Sequence, residues 1–408
     1  MLAEQVHTLI IGGGQAGLAM SHRLKQRGVT HLVLERQRIA ERWRSERWDG
    51  LRFQFPNWSV RLPDFPFPHA DPDGFATPGE IADFITAYAA FIAAPIRCGV
   101  AVTALRCRDG GSGFLAETSD GPIEARNVVV ATGPYQRPVL PAFTLDDAGI
   151  FQVHASRYQN PDQLPAGAVL VIGSGASGAQ IAEELVRAGR RVYLSVGRHR
   201  RMPRRYRGRD LIWWLDAMGL LERPAEQRGP ERSLPLISGA FGGNTIDFRQ
   251  FASLGVTLLG RAQAAHHGVI DFAPDLARRL AYGDASYTVF LDMIDAHVEA
   301  HGLVMPEYPA ARAILPDPLC LAEPLRRLDI RAAGVGAVIW ATGYGFDFGW
   351  IDVPVLNTQG EPVHVRGITD VPGMYFLGLQ WLSRLKSSLL SGVGDDAADL
   401  ADHIAARV

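Results

Sequence analysis

An α/β fold with two parallel-sheet domains on one chain, the second inserted in the first, is predicted by three features of the sequence. An apolar strand, a glycine turn and a helix occupy residues 8–26. The same parts recur in the same order at 168–187, about 160 residues later, which marks an internal duplication. Two buried strands end in Ala-Thr-Gly, at 131–133 and 341–343. Together these predict two Rossmann-like dinucleotide-binding domains. The expected boundaries are 1–155 plus 325–408 for the first domain and 156–324 for the second, with a helical insertion at about 205–305.

Each element follows from its residues. Thr8-Leu9-Ile10-Ile11 is a short apolar run, as a strand buried on both faces requires. Gly12 to Gly17 form the turn, Ala16 to Gln26 a helix with Leu18, Ala19 and Leu24 on its core side, and Gly28 stops it. His31 to Leu34 make the next strand, closed by Glu35. Residues 43–78 mix Trp43, Trp48, Phe53, Phe55, Trp58, Phe65 and Phe67 with prolines, which predicts an irregular segment packed over other elements. A helix is expected at 79–94, a hairpin from Ile96 to Thr118 around Gly110 to Gly113, and a buried strand at Val128 to Val130. The second unit reads as a strand at Ala168–Ile172, a turn at Gly173–Gly178, a helix at Ala179–Arg187 and a strand at Val192–Val196. A strand at Met374–Leu377 and a helix from Asp395 to Ala406 close the chain.

Composition removes several classes. A net charge of −2 argues against a nucleic-acid surface. The apolar stretch Leu211 to Leu221 contains Asp216 and is too short to span a bilayer, and the run Val6 to Ile11 ends in glycines, so no membrane partner and a cytoplasmic location are expected. Cys98, Cys107 and Cys320 form no C-x-x-C pair, so neither a redox dithiol nor a metal site is indicated.

The glycine motifs carry the chemistry. In the first, Gly12, Gly14 and Gly17 satisfy G-x-G-x-x-G, with Gln15 and Ala16 between the last two. The first glycine allows the tight turn, the second lets a pyrophosphate reach the backbone, and the third lets helix pack on strand. The helix N-terminus offers N–H groups and partial positive charge to the phosphates. Glu35 ends the next strand, where an acid accepts hydrogen bonds from an adenosine ribose. The second motif contains Gly173, Gly175, Ala176, Ser177 and Gly178. Its following strand ends in Ser195, with Arg198 three residues on and Arg200 and Arg201 beyond. A hydroxyl and a guanidinium bind a 2′-phosphate that a carboxylate would repel, which favours NADPH over NADH. The other reading of Arg198 to Arg209 is a solvated basic face.

With these motifs, the two Ala-Thr-Gly segments and Asp49-Gly50-Leu51-Arg52 in the aromatic stretch, the chain resembles the flavin-containing monooxygenases and their Baeyer–Villiger and indole-pyruvate monooxygenase relatives. The resemblance implies FAD at the first motif and NADPH at the second. It adds Arg36, Trp43, Arg52, Val102, Ala131, Thr132, Gly133, Ala341, Thr342, Gly343, Leu379 and Gln380 as expected cofactor contacts. It also implies catalytic roles for Gln54, standing where the family often has Asn, for Asn57 nearby, and for His154. His154 and Tyr158 keep the right half of the family's linker motif, while Ala148 and Ile150 replace its Phe and Gly. A packing or hinge role for His154, and turn-capping roles for the two amides, are the alternatives.

The implied reaction is NADPH reduction of FAD, addition of O₂ as a C4a-(hydro)peroxyflavin, and transfer of one oxygen to a small organic substrate. S- or N-oxygenation and Baeyer–Villiger insertion are both open. The rival readings are an NADPH oxidase or flavin reductase that makes H₂O₂, and a non-catalytic FAD-binding redox sensor.

Overall fold

The computed structural model describes residues 3–108, 113–143, 145, 150–229 and 235–407, so Ala148 and most of the Gly110–Gly113 turn lie outside the described residues. The first sheet has eight strands. Its centre is Glu4–Ile11, flanked in parallel by His31–Glu35 and by Ile123–Val130, with Ile10 opposite Val33 on one side and Val129 on the other. Ile96–Cys98 extends one edge and Met374–Phe376 lies beside Ile123–Val130, both parallel. Val102–Cys107 and Phe114–Thr118 pair as the expected antiparallel hairpin. Leu9, Ile10, Val128 and Val129 are fully buried in the first core. The helices Gln15–Gln26 and Val393–Ala405 pack together on one face, joining the two ends of the chain.

The second sheet is wholly parallel, in the order Phe151–His154, Val335–Trp340, Ala168–Ile172, Val192–Ser195, Thr257–Leu259. This corrects the expected boundaries at 155 and 325. Val335–Trp340 is central in the second sheet, with Leu170 opposite Val338, and the chain rejoins the first sheet only at Ile351–Asp352. The Ala-Thr-Gly echo at 341–343 thus belongs to the second unit's own duplication and is not a return to the first.

The insertion is also less helical than expected. Helices Leu211–Ala217, Phe248–Ser253 and Leu276–Ala300 alternate with the edge strand Thr257–Leu259 and with the hairpin Ala262–His266/Val269–Phe272. The aromatic stretch holds a short helix, Glu41–Ser45, and runs along the seam between the cores. Phe67 packs in the first core, Trp48 and Leu51 in the second, and Phe55 and Trp58 against the insertion. Trp43 touches the first two and meets Phe53 edge-to-face at 5.5 Å.

Candidate dinucleotide sites

The two glycine turns are built alike. Gly12 has φ +117°, and a methyl group there would stand 2.6 Å from the Ala131 carbonyl oxygen. Gly173 has φ +102° and is closed in the same way by the Ala341 carbonyl. Each Ala-Thr-Gly segment therefore lids its own turn. Gly17 and Gly178 lie against the carbonyls of Gly12 and Gly173 so closely that any side chain would collide with backbone. Gly14 and Gly175 face open space, with no atom within 4 Å of where a side chain would begin. They are also the N-caps of Gln15–Gln26 and Ala176–Arg187, and neither helix has a side-chain cap or an acid in its first turn. Unanswered N–H groups and an uncompensated dipole face the open side, which is what a pyrophosphate requires.

Around the first turn, the Glu35 carboxylate accepts from Gly13 N at 2.7 Å and Gln37 N at 2.9 Å, fixing its place at the strand end. Gly99 N and Val100 N bond the carbonyls of Gln37 and Glu35, which brings the start of the Val102 strand alongside, while Arg36 is exposed. The C-terminal segment closes over the same turn. Gln15 Nε2 donates to Ser388 O at 2.8 Å, and Gly378 lies against Ala16. Leu379 is buried and Gln380 Nε2 donates to Tyr135 Oη at 3.0 Å. Gln136, which sequence reasoning missed, donates to Thr132 Oγ1 and Gly133 O, both at 2.8 Å. The helix Val393–Ala405 carries Asp395 and Asp396 in its first turn, so its positive end is already answered by acids.

Several expected site residues have other work. Ser195 is 3% exposed, and its hydroxyl donates to Gly260 O and accepts from Ala262 N, both at 3.0 Å. It ties the second sheet to the following hairpin and has no face toward a phosphate. Arg201 is buried between Asp247 and Asp284, and Arg204 is paired with Asp210, so the basic run is not one solvated face. Arg198 is exposed and lies 4.4 Å over the Tyr282 ring. Asn57 Nδ2 donates to Asp71 O at 2.9 Å and Asn57 N to Gly74 O, so this amide braces its own loop. Arg52 donates to the carbonyls of Asp49 and Leu51 and lines a cleft beside helix Ala176–Arg187. Gln54 remains at the seam: its Nε2 donates to Ile237 O at 3.4 Å, the carbonyl that Gln180 Nε2 reaches at 2.9 Å. Its backbone carbonyl accepts from Arg204 Nη1 at 2.7 Å.

His154 is buried beside the second Ala-Thr-Gly arm. Ser156 N donates to its Nδ1 at 3.1 Å, so Nε2 carries the hydrogen and donates to Gly343 O at 3.2 Å. The ring meets Tyr344 edge-on at 5.1 Å. Burial holds its pKa below the usual 6.5, and the neutral tautomer is the one the geometry uses. A lowered imidazole pKa leaves stability unchanged at high pH. Stability falls as pH drops below 6.5, where the unfolded chain binds more protons. We expect the His154→Gln variant to lose less stability than wild type between pH 6.5 and 5, by about 1 kcal/mol or less given partial solvent screening, in urea titrations. Equal slopes would remove the neutral-histidine assignment.

The described cysteines are free, with Cys98 and Cys107 exposed and Cys320 half-buried. No helix among the described residues is long and apolar enough to cross a membrane.

The comparisons agree with this architecture. The family model for pyridine nucleotide-disulphide oxidoreductases matches residues 9–214. The chain is 36% identical over 404 residues to the uncharacterized oxidoreductase CzcO-like of Geobacillus kaustophilus, covering 98% of each. It is 34% identical over 193 residues to the probable indole-3-pyruvate monooxygenase YUCCA1 of Arabidopsis thaliana, covering 46% of each. The flavin-containing monooxygenase from Stenotrophomonas maltophilia shares the fold, with a TM-score of 0.68 at 18% identity and 99% coverage of both chains. The resemblance to flavin monooxygenases read from the sequence is borne out by these relatives. The chain belongs to the pyridine nucleotide-disulphide oxidoreductase family, as an oxidoreductase.

Proposed function

We propose that the protein is an NADPH-dependent FAD monooxygenase that transfers one atom of O₂ to a small organic substrate. FAD is assigned to the turn at 12–17 and NADPH to the turn at 173–178. The observation that carries the reading is the matched pair of open turns, at Gly14 and Gly175, each on an uncapped helix. Bound FAD supplies the chemistry, accepting hydride from NADPH and activating O₂. The chain supplies position and dryness. The N–H groups at the two turns fix the two pyrophosphates, and Glu35 stands where a ribose hydroxyl donates. The aromatic seam of Trp43, Phe53 and Phe55 excludes water, and Gln54 offers an amide beside it. A dithiol reductase would need a paired-cysteine site, which these three separate thiols do not form.

With Ser195 engaged elsewhere, Arg198 is the group left to recognise the 2′-phosphate. Its guanidinium is held by Tyr282, to whose hydroxyl Nη2 donates at 3.0 Å. Arg198→Ala should raise KM about tenfold for NADPH and leave that for NADH nearly unchanged. Equal changes for both would reject the assignment.

Oxygen transfer is tested with ¹⁸O₂ and a panel of thioethers, amines and ketones, following product mass and NADPH together. The expected result is one ¹⁸O in product per NADPH with at least one substrate class. One H₂O₂ per NADPH with every substrate would make the protein an oxidase.

A further inference from the structure

We propose that the cleft between residues 48–52 and the helix Ala176–Arg187 binds a small aromatic carboxylate that carries a hydrogen-bond donor, at a place separate from both dinucleotide turns. The cleft holds about 350 Å³, within the range of small-molecule sites. Gln180, Glu184 and Arg187 reach it from one stripe of the helix, at the i, i+4, i+7 spacing of a single face. That stripe starts a full turn past Gly175 and runs toward the helix C-terminus, so the cleft does not compete with a pyrophosphate.

Three features define its ligand. The first is an unmet acceptor. Gln180 is 3% exposed and its Nε2 donates to Ile237 O, which turns Oε1 away, and Oε1 has no partner among the described residues. A buried carbonyl in that state asks for a donor. The second is a guanidinium outside any ion pair. Arg187 is paired with Glu183, whereas Arg52 hydrogen-bonds only backbone carbonyls and forms no ion pair among the described residues, although its charge is felt at Glu80. Glu184 Oε2 is already engaged by Tyr158 Oη at 2.9 Å, and burial pushes its carboxyl above the usual carboxylate range. The third is a pair of aromatic walls. Trp48 is buried at the base, and Phe241 is 55% exposed at the mouth, with Arg187 stacked 4.3 Å over its ring. Gly50 lies against the Glu184 carboxyl, which would have to shift to admit a side chain there. Flat apolar walls, one guanidinium without an ion pair and one buried acceptor together select a planar acid with an N–H or O–H group.

The test is calorimetric titration of the holoenzyme, saturated with FAD and NADP⁺, with benzoate, 4-hydroxybenzoate, phenylacetate, 4-hydroxyphenylacetate and methyl 4-hydroxybenzoate. At least one acid is expected to saturate at one per chain, with the hydroxyl-bearing acids tighter than their parents and the uncharged ester weaker. Arg52→Gln should weaken the acids about tenfold. Gln180→Leu should erase the preference for the hydroxyl, a change that a merely structural role would not produce. If Gln180→Leu does not fold, Arg52→Gln and the ester decide alone. The proposal is overturned if no acid saturates, or if Arg52→Gln binds the acids as tightly as wild type. It is equally overturned if binding perturbs the flavin spectrum and ignores Arg52→Gln, which would put the acid in the oxygenation pocket. None of these readouts requires oxygen transfer.

Discussion

The Gly17→Ala and Gly14→Ala variants are expected to fail in different ways, although each adds one methyl group to the same turn. At Gly17 the methyl meets the Gly12 carbonyl, which is backbone in a turn whose own amide is bonded to Leu34 O. Neither partner can yield, so helix and strand must separate. Overpacking of this kind costs roughly 1–3 kcal/mol, and we expect the upper end of that range together with loss of FAD. At Gly14 the methyl meets nothing within 4 Å, so the apoprotein should unfold at the wild-type temperature. Its methyl instead occupies the space a pyrophosphate needs, and FAD affinity should fall at least about tenfold. Thermal unfolding of apoprotein and fluorescence titration with FAD separate the two effects. Equal behaviour of the variants in both assays would contradict the roles given to these glycines.

Asp210→Ala is expected to give the largest single loss of stability outside the glycine turns. Arg204 is 2% exposed and makes a forked contact to both Asp210 oxygens at 2.7–2.9 Å. Asp210 also caps the helix Leu211–Ala217 by accepting from Ile212 N at 2.9 Å. Removing the carboxylate strands a buried guanidinium and uncaps a helix, a loss of about 3–5 kcal/mol in urea titrations. Because Arg204 also donates to the Gln54 carbonyl, turnover should fall with stability even where the variant remains folded. The double change Arg204→Met with Asp210→Leu removes both charges together and should recover most of the stability but not the turnover. Recovery of both would show that the pair serves folding alone.

The comparison of sequence with structure divides by the range of the interactions involved. The glycine turns, their helices and the strands entering them were legible because each is fixed by neighbours within a few residues. Gly12 needs positive φ, and Leu18, Ala19 and Leu24 repeat at helical spacing. What the sequence could not reveal was which sheet a strand joins. Val335–Trp340 is apolar along its whole length and would suit the centre of either sheet. Its place beside Ala168–Ile172 follows from long-range pairing, although its Ala-Thr-Gly ending was a signal pointing to the second turn. The edge strand Thr257–Leu259 is too short to stand out between helices.

The site divides in the same way. Ser195 occupies the position expected for a 2′-phosphate contact, but the hairpin that consumes its hydroxyl begins at residue 262. Arg204 and Arg201 looked like members of a basic run, and only the fold brings Asp247 and Asp284 to Arg201. Arg52 and Asn57 sit in a stretch with little regular structure, where no periodicity says which way a side chain turns. The reading of His154 as a packing residue was open from the start, and its bonds to Ser156 and Gly343 favour it.

The most direct measurement is anaerobic mixing of FAD-reconstituted protein with NADPH, following the yellow absorbance of oxidised flavin, in wild type and in Gly175→Ala. The wild type should take up FAD and bleach. The variant should keep its FAD, because its methyl lies at the other turn, and bleach at least about tenfold more slowly at limiting NADPH. A wild type that stays colourless, or a variant that bleaches as fast as wild type, would contradict the passage of hydride between two separately cradled nucleotides.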